Sequence, residues 1–482
     1  MILLPDLKNK KTAVFGLGAT GLATAEALVA SGAQVFTWDE SGAAREKTKN
    51  TEYLSDHPKN WPWAELQFLV LSPGVPLTFP KPHAIVRKAK SAKVKIIGDL
   101  ELFAMAMNAV PEKERPSVVA ITGSNGKSTS TALISHILDE TGRQVFMGGN
   151  IGIPLLAMKP FDKDHIYVLE LSSYQLDLAS SFRANIAMLL NISPDHLDRH
   201  GDMAHYIAAK QRIFYHQTKD DIAIIGVDDE HTQGICAVLS GRKQAEVVPV
   251  STKGALGHGV YTLDGRLFYN FDGKSGEAGT ISNTATLRGA HNWQNASAAL
   301  AAAISLGVAP SVALKAMSRF EGLAHRMETV AKIGDVRFIN DSKATNTEAT
   351  AQALNSYENI FWIAGGKAKD GGVKPLREMM GPVRGAYFIG DAAEAFEADL
   401  AGVVPCIRCG NLAAAVTRAS RDARQSGLAD PVVMLSPAAA SFDQFKNFED
   451  RGNTFRRLVL DEVAALSDEE EAAAKTSNGA AA

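Results

Sequence analysis

AITGSNGKSTSTALI, residues 120–134, is the stretch that decides how this chain is read. An apolar run reaches Ile121, a turn carries Gly123 and Gly126, and Lys127 with Ser128 opens a helix-like segment. A strand, a glycine-rich turn and a helix in that order aim backbone N–H groups, the positive end of the helix dipole and an ammonium at one anion. A triphosphate suits such a cradle, with Lys127 reaching the β and γ phosphates and the Ser128 hydroxyl offered to Mg²⁺. The spacing departs from the pattern G-x-x-x-x-G-K-[ST], because Ile121 stands five positions before Gly126.

Working outward, apolar strand-like runs alternate with helix-like segments on both sides of this turn, which is the pattern of parallel sheets with crossover helices. The fold class expected is α/β in three domains: a Rossmann-like domain over residues 1–108, a central P-loop ATPase-like domain over 109–321 and a second Rossmann-like domain over 322–466. AVPEKERPS at 109–117 breaks the periodicity and reads as a linker. Short alternating runs rich in Gly, Thr, Tyr and Asp between about 245 and 288 suggest an antiparallel patch on the central domain. The tail 467–482, SDEEEAAAKTSNGAAA, lacks a core-forming pattern and is expected to be disordered.

With 482 residues, 46% hydrophobic and 21% charged, the chain is too long for one core and ordinary for a globular protein. Fifty basic against 53 acidic residues leave a net charge of −3, which offers no surface for gripping nucleic acid. No run approaches the roughly 18 apolar residues of a membrane span. MILLPDLKNKK lacks the apolar core of a signal peptide, so a cytoplasmic monomer is the expectation. Cys406 and Cys409 form a C-x-x-C without a second ligand pair, and read as ordinary reduced cysteines.

VFGLGATGLATAEAL at 14–28 holds G-x-G-x-x-G, and Asp39 ends the next apolar run where a dinucleotide-binding unit keeps its ribose-gripping acid. An NAD-dependent oxidoreductase is therefore one reading. A triphosphate loop in the same chain favours another, in which these glycines hold a nucleotide-linked substrate. In VLELSSYQLD, Glu170 falls inside an apolar strand, where a buried carboxylate calls for a cation. His196 in NISPDHLDRH is alone a loop histidine, and beside Glu170 and the phosphate loop a metal ligand. Lys210 in YIAAKQRIF would by itself be a surface lysine. HRMETV offers the planar fork of Arg326 to a phosphate, and NDSKATN places Asp341, Lys343 and Thr345 at a strand-to-turn junction. A nucleotide site drawn from two domains implies closure before chemistry.

Taken together, TGSNGKST, GGNIG, LELSSYQLD, SPDHLDRH, AAKQRIF, GAHNWQNASAA, HRME, NDSKATN, GGKAKDGG and LSPAAASFDQFKNFEDRG resemble, in this order, the Mur ligases, over roughly residues 11–460. DSKATN and SFDQFKNFEDRG favour members that add D-glutamate to UDP-N-acetylmuramoyl-L-alanine with ATP, in peptidoglycan precursor synthesis. The resemblance implies that the N-terminal domain holds UDP, through Gly16, Leu17, Gly18, Ala19 and Thr20 with Ser72 and Gly74, and that Asn150 faces the substrate. It implies ATP contacts from Gly123, Ser124, Asn125, Gly126, Lys127, Ser128 and Thr129, adenine contacts from Asn292 and Asn295, a γ-phosphate contact from Arg326 and a ribose contact from Asp341. Two Mg²⁺ sites are implied at Ser128, Glu170, His196 and Lys210, the lysine as N6-carboxylysine. Lys343 is placed at the reacting centre, and Thr345, Lys369, Ser441, Phe442 and Phe448 around D-glutamate. Catalysis would then rest on Lys127, His196, Lys210, Arg326 and Lys343, through an acyl phosphate that the amine attacks. Another Mur ligase, a folylpolyglutamate-synthetase-like enzyme and a non-catalytic ATP-regulated binding protein remain rival readings. The first two share the ATP loop but are disfavoured by the N-terminal glycine turn and the C-terminal motif.

Overall fold

Continuous apolar runs become parallel strands here because both their faces are covered. IFWIAG at 360–365 is buried throughout, with Phe361 and Ile363 in one apolar cluster and Trp362 and Ala364 in another. The structure, a computed structural model, describes the backbone of residues 1–48, 51–367 and 372–479, with side chains except at 285 and 465–479. Among the described residues the strands make three sheets.

The first sheet contains β1 (Lys11–Phe15), β2 (Gln34–Trp38), β3 (Leu54–Ser55), β4 (Leu66–Leu71) and β5 (Lys95–Ile97), in the order β3-β2-β1-β4-β5, and its strands are parallel. The second holds β6 (Ser117–Thr122), β7 (Gln144–Gly149), β8 (His165–Glu170), β9 (Ile186–Leu189), β10 (Ile222–Gly226), β11 (Glu246–Ser251), β12 (Gly259–Leu263), β13 (Arg266–Phe271) and β14 (Lys274–Thr280). Its order is β14-β13-β12-β11-β10-β9-β6-β8-β7, with antiparallel pairing confined to β12, β13 and β14, inside the stretch where it was expected. The third comprises β15 (Glu328–Ile333), β16 (Val336–Asn340), β17 (Ile360–Gly365), β18 (Val383–Ile389), β19 (Cys406–Gly410) and β20 (Val432–Leu435), ordered β15-β16-β20-β17-β18-β19. There only β15 runs antiparallel to its neighbour.

Packing gives two compact units, Met1–Thr284 with Asn292–Phe320, and Ala285–His291 with Glu321–Ala482. The first unit contains the first two sheets over one shared core that runs from Val14 and Leu100 to Tyr167 and Ile225. Glu101 clamps these sheets together, its carboxylate accepting from Ser180 N at 2.6 Å and Ser181 N at 2.9 Å. Residues 285–291, expected within the central domain, pack with the second unit, where Arg288 lies 5.7 Å over the Tyr357 ring. The last helix spans Phe448–Gly479 and so takes in most of the tail for which disorder was expected. Alanine, glutamate and lysine favour helix even where no apolar face directs it.

Cys406 packs into the cluster on one face of the third sheet and Cys409 into the cluster on the other. Alternation along β19 thus separates the two thiols, and they cannot share a metal.

Candidate active site

The phosphate-type loop joins β6 to the helix Lys127–Asp139, whose N-cap is Gly126 at φ +82°. A side chain at Gly126 would meet Asn295 Oδ1 at 2.2 Å, so glycine is needed both for the left-handed turn and for the close approach. The loop is held from beneath: Ser124 N donates to Asn191 O at 3.0 Å and Asn125 N to Asn191 Oδ1 at 2.8 Å. Ser124 Oγ also bonds Tyr206 OH at 3.0 Å. Lys127 Nζ folds over the loop, donating to Gly123 O and Ser124 O, each at 2.8 Å. Ser128 and Thr129 are buried in the first helical turn. Asn292 and Asn295 stand together on the helix Ala290–Ser305, Asn295 Nδ2 donating to Asn292 Oδ1 at 3.2 Å and Asn295 Oδ1 accepting from Ser130 Oγ at 3.1 Å.

Beside the loop, β8 ends at Glu170, which is 2% exposed. Its Oε1 accepts from Asn150 Nδ2 at 2.7 Å, while Oε2 is buried without a hydrogen-bonding partner among the described residues. An orphaned carboxylate oxygen at a phosphate loop is what a hard divalent cation would satisfy. Lys210, also 2% exposed, donates to Gly123 O at 2.8 Å and lies 4.7 Å from the Tyr206 ring centroid. Burial, reinforced by the charge of Lys127, drives the Lys210 ammonium well below its usual pKa, against the pull of Asp195 and Glu170. The surface-lysine reading of Lys210 is thereby overturned, because its helix turns this side chain toward the loop. His196 occupies the left-handed region at φ +55°, with Nε2 3.3 Å from Asp195 Oδ2 and its ring tilted against Tyr174 and edge-on to Tyr206. Among the described residues no three His, Cys, Asp or Glu side chains gather as a ready-made metal site. The groups expected to hold a cation here are the Ser128 hydroxyl, Glu170, His196 and Lys210, the last of which would need modification to serve.

In the second unit, Arg326 sits between two non-glycine residues in the left-handed region, His325 at φ +63° and Met327 at φ +46°. Its Nε is buried without a hydrogen-bond acceptor among the described residues. Asp341 accepts from Met327 N at 3.2 Å and Ser436 Oγ at 2.9 Å. Burial lifts its carboxyl to about 7, although Arg326 and Ser436 oppose the rise. Burial and the charge of Arg326 also hold His291 down at about 4. Lys343 Nζ lies 5.5 Å over the Phe448 ring, which brings two of the expected site residues together. Thr345 N donates back to Lys343 O at 2.8 Å, Ser441 is buried and Phe442 is 71% exposed. Lys369 lies outside the described residues.

At the N-terminal glycines, Gly16 follows β1 at φ +97° and Gly18 caps the helix Ala19–Ala30, which includes Thr20. A Cβ on Gly21 would fall 1.8 Å from Gly16 O, so the third glycine lets helix and strand touch. Ser72 Oγ donates to Gly16 O at 2.9 Å. Asp39 Oδ2 accepts from Leu17 N at 2.6 Å and Oδ1 from Ser41 N at 2.8 Å. The acid that would grip a dinucleotide ribose thus accepts from the glycine turn and from its own turn. Arg199 Nη1 donates to Gly74 O at 2.8 Å and ties the two sheets' loops. Sequence reading passed over Arg199 and Asn191, although Asn191 carries the usual signal of a polar residue just past a buried strand.

The Mur ligase middle domain model matches residues 121–303, which covers the loop, Glu170, His196, Lys210 and both asparagines. The chain is 50% identical over 459 residues to the UDP-N-acetylmuramoylalanine--D-glutamate ligase of Phenylobacterium zucineum, covering 95% of this chain and 98% of that protein. It is 47% identical over 461 residues to the ligase of the same name from Nitrobacter hamburgensis, again 95% and 98%. Among solved structures, UDP-N-acetylmuramate-alanine ligase MurC from Thermotoga maritima matches with a TM-score of 0.57 at 17% identity, over 94% of this chain and 99% of that one. MurF ligase from Thermotoga maritima in complex with ADP matches at 0.55 and 14%, over 95% and 97%. The folds agree, and at half identity over nearly the full length of both proteins the chain belongs to the Mur ligase family.

Proposed function

We propose that this protein is an ATP-dependent ligase that joins D-glutamate to UDP-N-acetylmuramoyl-L-alanine in peptidoglycan precursor synthesis. The observation that carries the reading is one cluster in the first unit: the loop 123–129, Glu170 with its orphaned oxygen, and the buried Lys210 bonded to that loop. Full-length identity to ligases of that name supports the choice of substrates.

A carboxylate is a poor acyl donor, so the terminal carboxylate of the sugar-linked alanine takes the γ-phosphoryl group of ATP and becomes an acyl phosphate. Lys127 and Arg326 neutralise charge on the transferred group. The amine of D-glutamate then attacks the acyl carbon, phosphate leaves, and an amide remains. Lys343 is assigned to the oxyanion of that step, and Thr345, Ser441, Phe442 and Phe448 to the amino acid. Asn292 and Asn295 are assigned to adenine, Asp341 to ribose, and the turn 16–20 with Ser72, Gly74 and Asn150 to the UDP substrate.

Magnesium, when bound, offsets phosphate charge, and Ser128, Glu170, His196 and Lys210 are the residues that would hold it. Lys210 fits this role as a carbamate: its ammonium gives up one proton, the neutral amine adds to the carbon of CO₂, and a second proton leaves the nitrogen, so that a cation becomes an anion. The reaction uses cytoplasmic metabolites, so that compartment is the one proposed.

The test is phosphate release from ATP and Mg²⁺ with UDP-N-acetylmuramoyl-L-alanine, adding D-glutamate, L-glutamate, L-alanine, L-lysine or meso-diaminopimelate singly. Release with D-glutamate alone is expected. Release with another amino acid instead would move the protein to a sister activity.

A further inference from the structure

Arg451 belongs to the motif SFDQFKNFEDRG, yet the reading above gives it no task. Its side chain is wholly buried, and every guanidinium nitrogen donates to backbone carbonyls or one hydroxyl. Nε donates to Ser342 Oγ at 3.0 Å and Nη2 to Ser342 O at 2.9 Å. Nη1 donates to Gly365 O at 3.3 Å, and both terminal nitrogens donate to Ala439 O at 3.2 Å. These acceptors lie on three loops at the ends of β16, β17 and β20. The same loops are cross-laced: Lys367 N donates to Ala440 O at 2.8 Å and Ala438 N to Ala344 O at 3.0 Å. A side chain at Gly366 would stand 3.1 Å from Arg451 Nη1, so the guanidinium fills the space between them.

Among the described residues no carboxylate bonds this buried cation. A guanidinium solvated only by carbonyls and one hydroxyl is costly to bury, and a Met or Leu of similar volume would spare that cost if cohesion were its sole task. Its fork has the geometry to fix several loops at once, which a lysine lacks.

We propose that Arg451 is the positioning residue of the amino-acid side of the site, holding Ser342–Lys343, Gly365–Lys367 and Ala439–Ser441 in one register behind the loops that receive D-glutamate. The proposal rests on the assignment of Lys343, Ser441 and Phe448 made above. Ser342 Oγ extends the tie by donating to Phe448 O at 2.8 Å, so the ring beside Lys343 is set by the same network.

The experiment compares the full-length parent with Arg451→Gln, Arg451→Lys and Ser342→Ala, varying D-glutamate, ATP and UDP-N-acetylmuramoyl-L-alanine in turn and recording thermal melts. Misplacing binding groups by about 1 Å can cost up to about 100-fold, so Arg451→Gln is expected to raise the D-glutamate KM at least about tenfold, with the other two KM values within about twofold. Arg451→Lys keeps the charge but loses the fork, and should fall between. Ser342→Ala removes one tie and should raise the same KM by about two- to fivefold. An unchanged D-glutamate KM in a folded Arg451 variant overturns the proposal, as does an equal rise in all three constants. If Arg451→Gln does not fold, unchanged constants in Arg451→Lys and Ser342→Ala overturn it. A parent that turns over D-glutamate beside such unchanged variants sinks only this assignment, whereas a parent inert to D-glutamate sinks the substrate reading and this assignment with it.

Discussion

Lys210 Nζ donates to the carbonyl oxygen of Gly123 at 2.8 Å, so a lysine remote in sequence from the phosphate loop is bonded to it. Because burial lowers the ammonium pKa of Lys210, more of the amine is neutral near pH 7 and able to add to CO₂. Protein incubated in carbon-13 bicarbonate is expected to give one carbamate resonance that Lys210→Arg lacks, with a loss of turnover of about 100-fold or more in that variant. A resonance surviving in Lys210→Arg would place the carbamate elsewhere.

Lys127 spends its ammonium on two carbonyls of its own loop, contacts that a triphosphate would replace. Lys127→Ala should lower kcat by about 100- to 1,000-fold, the scale of losing one transition-state donor. Its melting temperature should stay near that of the parent. Near-normal turnover would remove Lys127 from the mechanism.

Asp341 gives a pH signature. Its carboxyl ionises at about 7 when folded, against 3.8 for the free group, so between these values the native state holds a proton the unfolded chain has lost. Stability contributed here is present below pH 4 and lost as pH rises through 7. Asp341→Asn removes this slope, and its stability relative to the parent should improve by up to about 4 kcal/mol between pH 4 and 8, as read by urea unfolding at a series of pH values. Asp99, raised to about 6, contributes the same sign in both proteins and cancels in the difference. A constant difference across the series would contradict the shift.

Gly21→Ala puts a methyl group 1.8 Å from Gly16 O. Relief requires the helix to move off β1, at about 1–3 kcal/mol or more. The KM for the UDP substrate should rise while ATP binding, measured by calorimetry, holds. A variant as stable as the parent would show that the helix and strand have slack.

Much of the candidate site is legible in the sequence because its chemistry is local. The loop 123–129, Glu170 at the end of an apolar run and the glycines at 16–21 each announce themselves within a few residues. The rest depends on distant pairs: Asn191 meets Asn125 across 66 positions and Arg451 meets Ser342 across 109. Asp39 looked like a ribose ligand because spacing alone cannot tell which donor will claim a carboxylate, and Leu17 N, 22 positions away, claims it. The sheets followed from apolar runs, whereas the packing of 285–291 with the second unit had no periodic signal to reveal it.

That exchange of segments has a consequence for synthesis on the ribosome. The first unit includes Asn292–Phe320, so its fold is incomplete until Phe320 has emerged, and it cannot be finished by the N-terminal 284 residues alone. Residues 285–291 emerge earlier than the body of the second unit and must wait for it. Vectorial folding therefore proceeds here with a short stretch of chain left in reserve, and a cut between His291 and Asn292 would leave the first unit without Asn292–Phe320 and the second without Ala285–His291.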